Sequence, residues 1–156
     1  MTKLLLSLHV LAAVLAVGPV TVAASMFPPA LRRALGDSAA SHEGDALTTL
    51  RTLHRICRVY AGIGLAVPVL GFATAIDMGV LGGIWLTVSI LLTGAAAGVL
   101  ALLILPAQDA ALAAAGAPGS APPAPARLAM LTGAFNLLWA TVTVLMIVRP
   151  GSTTGA

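Results

Sequence analysis

The stretch LLLSLHVLAAVLAVGPVTVAASMF, residues 4–27, decides the fold because its 24 residues include no lysine, arginine, aspartate or glutamate. About 20 consecutive apolar residues are enough for one helix to cross the hydrocarbon core of a bilayer. Three more such stretches follow, at residues 56–76, 78–105 and 128–148, and Arg58 is the single charged residue within them. We therefore predict an all-α fold, a four-transmembrane-helix bundle forming one integral membrane domain over residues 1–156.

The composition excludes several classes of protein. Of the 156 residues, 59% are hydrophobic and only 8% are charged, whereas a soluble domain carries roughly 25% charged residues. The net charge of +3 comes from eight basic and five acidic residues, without a basic run that could follow a nucleic-acid backbone. We expect a lipid bilayer as the main partner and no nucleic acid. The single cysteine, Cys57, excludes a disulfide within the chain.

The connections between the predicted spans set the orientation. Residues 28–55 form a charged connection, a short turn lies near Asp77, and residues 106–127 form a Pro/Gly/Ala-rich stretch that predicts a flexible linker. Basic residues favour the cytoplasmic side. Two of them, Lys3 and Arg149, lie on the side of the termini, and six lie near the first and third connections: Arg32, Arg33, Arg51, Arg55, Arg58 and Arg127. We predict a multi-pass protein of the inner (plasma) membrane with both termini outside the cytoplasm.

A cleavable secretory signal is the alternative interpretation of the first span. The apolar run ends in a small-residue motif, and cleavage after Ala24 would place residues 25–55 outside. That outcome would put five arginines on the disfavoured face of the membrane. We therefore expect the first span to remain in the protein.

His9 is the candidate cofactor residue because it lies inside the first span, where ionisable groups are rare and often functional. Alanines at Ala12, Ala13 and Ala16 share its helix face, so this face is expected to point into the bundle. The functional interpretation is a ligand of haem or another metal, or a proton-handling group. The structural interpretation is a neutral histidine bonded to a backbone carbonyl or a water.

A haem b held by His9 would need an axial partner or a five-coordinate iron. His54 belongs to the opposite end of the bundle, about 27 Å from His9 along the membrane normal. Met78 and Met146 lie near the outer ends of their spans and are the candidate partners. Methionine in an apolar helix also serves simply to fill the core.

A second candidate site is basic. Arg51, His54, Arg55 and Arg58 follow the spacing i, i+3, i+4, i+7 and so share one helix face at the cytoplasmic end of the second span. This pattern predicts a site for a lipid phosphate, a carboxylate or a cofactor propionate. The alternative is the positive-inside signal with snorkelling arginines. We predict no metal-ion site, since Cys57 and His54 alone are too few ligands.

The remaining motifs concern helix packing and transport. Gly94 and Gly98 form a GxxxG pattern, which predicts a close helix contact within the bundle or in an oligomer. Pro19 and Pro68 lie inside spans and predict kinks. Asp77 is the only acidic residue next to a span, and its place in a turn argues against a proton-driven transporter.

Several motifs resemble a bacterial family of predicted four-span membrane proteins of unknown function, common in actinobacteria. They are LHV at residues 8–10, GP at 18–19, FP at 27–28, LHRICRVY at 53–60 and VRPGSTTG at 148–155. This resemblance implies the topology and no activity. The first helix is more distantly similar to those of copper-resistance D-type membrane proteins and haem-carrying protoporphyrinogen oxidases, which implies a role for His9 as their first-helix histidine.

The oxidase family also uses a lysine in a later helix, and the only lysine in this chain is Lys3. The leading sequence-based hypothesis is a small membrane protein linked to haem or a redox metal through His9. One alternative is a non-catalytic packing or assembly subunit that forms a homo-oligomer or joins a larger membrane complex through Gly94 and Gly98. A small-solute transporter is the third.

Overall fold

The computed structural model describes residues 1–36, 43–115 and 123–150, and within them the chain is helical without a strand. The helices are α1 (Thr2–Gly36), α2 (Glu43–Ile63), α3 (Ala66–Asp77), α4 (Ile84–Gly98), a π-helical segment (Val99–Ile104), α5 (Leu105–Ala115) and α6 (Pro125–Val148). They form four rods, each long and apolar enough to cross a membrane. The prediction of an all-α chain with four apolar helices is confirmed.

The second rod is interrupted at Gly64 and Leu65, between α2 and α3. Proline has no N–H, so Pro68 cannot make the helical bond to the carbonyl of Gly64. That carbonyl accepts the N–H of Val67 instead, at 3.1 Å. The second rod is therefore interrupted close to Pro68, where the sequence predicts a kink, whereas α1 continues as one helix past Pro19.

The third rod differs from the predicted span 78–105. It begins at Ile84, after a turn in which Gly79 and Gly82 adopt positive φ angles of 65° and 103°. It then continues to Ala115, beyond the predicted span end. Pro106 directly follows the π-helical segment within this rod, and the helix continues past it through a run of alanines, the strongest helix formers.

The predicted linker 106–127 is therefore wrong at both ends. Residues 106–115 belong to α5, and α6 begins at Pro125. Proline at a first helical position has the backbone angle that a helix needs. Residues 116–122, which contain most of the Pro/Gly/Ser tract, lie outside the described residues.

The core runs along the whole bundle. At the end where α1 stops and α2 starts, Phe27, Leu31 and Leu50 are buried together with Leu128 of α6. The middle and the opposite end are filled by two further clusters of buried apolar side chains: Val20, Ala96, Leu100, Ile104 and Phe135, and then Ala75, Trp85 and Leu86. Many large apolar side chains on all four rods are exposed, a surface that suits lipid.

Polar contacts fix the end of the bundle that holds the N-terminus. The Thr2 hydroxyl donates to the Asp77 carboxylate. The Arg149 guanidinium lies 5.6 Å from the ring centre of Trp85, within cation–π distance. Arg149 itself ends α6 in the left-handed conformation, with φ of 44°. Thr2, Asp77 and Arg149 therefore share one end of the bundle.

Which end faces the cytoplasm remains a prediction, and cysteine labelling tests it. We expect a membrane-impermeant maleimide added to intact cells to label Pro150→Cys and not Ala110→Cys, because both positions are exposed at opposite ends. The unmodified chain is the unlabelled control, since Cys57 is fully buried. Labelling of Ala110→Cys alone would show that the orientation is the opposite of the predicted one.

Candidate functional site

A cluster of four polar residues joins α2 to α5 near the end of the bundle opposite to the termini. The His54 ring places Nδ1 3.0 Å from Oε1 of Gln108 and Nε2 3.0 Å from Oδ1 of Asp109. The other end of the Gln108 amide lies 3.7 Å from Sγ of Cys57. His54, Gln108 and Cys57 are buried, while the Asp109 side chain is 62% exposed. The cluster therefore connects the bundle interior to its surface.

The continuation of the third rod past Pro106 creates this cluster. Gln108 and Asp109 follow Pro106 in α5, and α5 packs against α2. The sequence predicted a flexible linker at both residues, so neither of them was a candidate site residue. The available signal was a pair of polar side chains at the start of an alanine-rich run directly after an apolar span.

Gln108 is the central residue of this cluster because its side chain contacts both His54 and Cys57 of α2. Its side chain is fully buried. We expect Gln108→Leu to lower the free energy of unfolding by about 1–3 kcal/mol, because His54 Nδ1 would be left without a partner inside the bundle. Thermal unfolding in detergent measures this, and Ala110→Leu on the exposed face of α5 is the control. Equal stability of the two variants would contradict the structural role of Gln108.

A shallow cleft of about 370 Å³ lies next to the cluster, lined by His54, Arg55, Arg58 and Val59. The four residues predicted to share one face differ in burial: His54 is only 7% exposed, whereas Arg51, Arg55 and Arg58 are exposed. The structure therefore brings His54, Arg55 and Arg58 together in a concave surface. Guanidinium groups such as those of Arg55 and Arg58 can form paired N–H···O bonds with a carboxylate or a phosphate.

His9 lies near the other end of the bundle, where its ring, carried by α1, contacts α3. Nδ1 lies 3.0 Å from the carbonyl oxygen of Val67. The ring lies so close to Gly71 that a Cβ there would come within 2.8 Å of His9 Cε1. The structural interpretation of His9 predicted a bond to a backbone carbonyl or a water, and the carbonyl of Val67 lies in such a position. The same bond would also orient a metal-binding histidine, leaving Nε2 as the ligand atom.

The two methionines predicted as axial ligands of a haem on His9, Met78 and Met146, lie in different surroundings. Met78 follows α3 directly, beside Asp77, which contacts Thr2. Thr2 and His9 are separated by about 10 Å along α1, so Met78 lies closer to the end of the bundle than His9. Met146 packs against the buried cluster that contains Trp85.

A haem does not fit the interior beside His9. The central cavity measures about 80 Å³, begins at Ala16 and does not include His9 among its lining residues. Pockets for small molecules and cofactors usually measure about 300–1,000 Å³. Among the described residues, moreover, no three histidine, cysteine or acidic side chains could hold a metal ion together. A haem on His9 would have to lie on the outside of the bundle or between two chains.

The GxxxG pair does not mediate a close contact in the described part of the chain. A Cβ at Gly94 or Gly98 would meet no other atom within 4 Å, and Gly94 is exposed. The small residues therefore lie on an open face of α4. The GxxxG pattern predicted a helix contact either within the bundle or in an oligomer, and the contact with another chain stays a prediction.

Comparison with known proteins identifies no relative of this chain. No protein-family model, no curated protein and no solved structure matches it. The family resemblance stated above therefore stays a prediction.

Proposed function

We propose that this chain is an integral membrane protein that binds an anionic phosphate, most simply a lipid headgroup, in the basic cleft formed by His54, Arg55 and Arg58. One observation carries the proposal: the exposed side chains of Arg55 and Arg58 line a shallow, open depression beside the buried ring of His54. The positive-inside signal alone requires no cleft.

The chemistry of the cleft favours phosphate. Guanidinium groups match phosphate oxygens with paired hydrogen bonds and keep their charge at every physiological pH. A basic residue near an anionic leaflet contributes about 1 kcal/mol to lipid binding. The predicted orientation places this end of the bundle at the cytoplasmic leaflet, where anionic headgroups lie within reach.

Native mass spectrometry of the detergent-purified protein tests the proposal. We expect phosphatidylglycerol to bind in preference to phosphatidylcholine, and inorganic sulfate to compete only weakly, if the ligand is a lipid headgroup. Strong competition by sulfate would instead identify a free anion as the ligand. Equal binding of the two lipids, with no effect of sulfate, would contradict the proposal.

His9 supports a second candidate function, a haem or redox-metal protein. The observation in its favour is the bond from Nδ1 to the carbonyl of Val67, which would fix the ring and leave Nε2 as the ligand atom. When bound, a haem would supply one-electron chemistry. Because the interior lacks room for it, this function requires a site at the bundle surface.

An optical spectrum of purified protein, oxidised and then reduced with dithionite, tests the second candidate. A Soret band that disappears in His9→Ala supports it. A colourless, metal-free protein after expression with added haem contradicts it and leaves His9 as the contact between α1 and α3.

A further inference from the structure

We propose that the phospholipid whose phosphate binds in the basic cleft also inserts one of its hydrocarbon chains between the second and third rods, into the central cavity of the bundle. The inference rests on the proposed function, because it concerns the remaining part of the same ligand. Its physical basis is an apolar cavity that opens at the side of the bundle, on the helix face that also carries the cleft.

The second and third rods touch at their two ends and separate between them. At the end that holds the termini, Ala75 of α3 belongs to the same buried cluster as Trp85 and Leu86 of α4. At the opposite end, His54 of α2 contacts Gln108 of α5. Between these contacts α3 packs against α1 and α4 packs against α6, while neither α2 nor α3 packs extensively against α4. The two rods therefore leave a lateral opening.

The central cavity of about 80 Å³ lies at this opening. The residues that line it from the second and third rods form what we call the seam: Ala61, Leu65, Pro68, Thr93 and Ala97. Leu65, Pro68 and Ala97 are exposed, so the cavity is open to the surroundings of the bundle. Its inner wall includes the buried side chains of Val20 and Phe135. A molecule from the bilayer can therefore enter the cavity from the side.

The lining and the volume select the class of occupant. The accessible wall of the cavity is predominantly apolar, and the Thr93 hydroxyl already donates to the carbonyl of Ser89 at 2.7 Å. Such a wall favours hydrocarbon over water. Apolar cavities of about 150 Å³ hold a benzene ring, and this one is about half as large. It therefore suits a few carbon atoms of a chain, which the lipids of a bilayer supply.

The cleft and the cavity lie on one face of the second rod. Four residues follow the spacing i, i+4, i+7, i+11 and so share this face: His54, Arg58, Ala61 and Leu65. The face is directed toward the third rod, because His54 contacts Gln108 there. Arg58 lines the cleft, while Ala61 and Leu65 line the cavity about 5 and 10 Å further along the rod.

The depth of the cavity matches the chain of a lipid that is held at Arg58. Arg58 and Asp77 lie about 29 Å apart along the second rod, close to the thickness of the hydrocarbon core. In a bilayer Arg58 is therefore at the level of the headgroups, and the seam is within the hydrocarbon. A phospholipid carries its chains directly beneath its phosphate, so a lipid with its phosphate at Arg58 has its chains beside the seam.

Photocrosslinking tests the proposal in phosphatidylcholine vesicles that contain a trace of phosphatidylglycerol with a diazirine near the middle of one acyl chain. We expect the label, located by tandem mass spectrometry, to concentrate on the seam. Ala97→Phe should lower this labelling roughly tenfold, the order of magnitude that an empty cavity of about 80 Å³ costs. Ala95→Phe is the matched control, because Ala95 is exposed on the same helix and does not line the cavity.

A phosphatidylcholine probe with the same diazirine needs no variant and decides the question if Ala97→Phe does not fold. We expect it to label the seam less than the phosphatidylglycerol probe does, because headgroup and chain belong to one lipid. Equal labelling by the two probes, or label spread evenly over the exposed apolar residues of all four rods, overturns the inference. The proposed function still stands if native mass spectrometry shows the preference for phosphatidylglycerol, and it falls as well if that preference is absent.

Discussion

Replacing Arg55 and Arg58 together by glutamine is expected to lower the preference for phosphatidylglycerol over phosphatidylcholine by roughly 30-fold, because each arginine near an anionic headgroup contributes about 1 kcal/mol. Both side chains are exposed and line the cleft beside His54. Glutamine keeps the hydrogen-bonding capacity and the stem of each side chain while removing its charge. The measurement is the ratio of bound lipids in native mass spectrometry.

Arg32 and Arg33 provide the matched control. They are exposed at the end of α1 on the same side of the bundle, and their replacement by glutamine removes the same number of charges from the same leaflet. We expect this variant to lose much less of the preference, because neither arginine lines the cleft. If both double variants lost the preference equally, the cleft would have no special role and the general basic charge of this end would explain the binding.

Gly71→Val is expected to destabilise the protein by about 1–3 kcal/mol, the usual cost of overpacking a filled interior. A Cβ at Gly71 would lie 2.8 Å from Cε1 and 3.2 Å from Nδ1 of His9. The ring would have to move and lose its bond to the carbonyl of Val67. Thermal unfolding in detergent measures the change. Gly62→Val in the same rod is the control, because a Cβ at Gly62 meets no other atom within 4 Å.

A double variant shows whether the loss comes from His9. Adding His9→Ala to Gly71→Val removes the ring against which the valine would press, so most of the lost stability should return. The two substitutions should therefore be strongly non-additive, as expected for residues in contact. Additive losses would mean that α1 and α3 do not meet at this point.

The sequence predicts the four spans because long apolar stretches without charge have few alternatives to a membrane helix. The missing N–H of Pro68 predicts a kink, and the structure has an interruption of the helix at Gly64 and Leu65, close to this proline. The sequence mispredicts the segment after Leu105, because a proline after an apolar span is typical of a helix end, whereas here the helical rod continues through Pro106 into α5. Because of that error, Gln108 and Asp109 were not among the predicted site residues.

The basic site, too, could be predicted from the sequence only in part. The spacing of Arg51, His54, Arg55 and Arg58 correctly predicts that they are neighbours on α2. It does not show that His54 lies at the buried edge of that face, because this depends on α5 packing alongside. Contacts between distant parts of a chain leave no periodic pattern in a single sequence. The cleft and the histidine cluster could therefore be found only from the structure.

Solid-state NMR of the protein in phosphatidylglycerol bilayers tests the central claim most directly, through the dephasing of arginine ¹³Cζ signals by lipid ³¹P. Guanidinium–phosphate hydrogen bonds of roughly 2.8 Å place these two nuclei about 4 Å apart. We predict strongly dephased signals that disappear in the Arg55→Gln/Arg58→Gln variant and persist in the Arg32→Gln/Arg33→Gln variant. Dephasing that persists unchanged when Arg55 and Arg58 are replaced would contradict a headgroup site in this cleft.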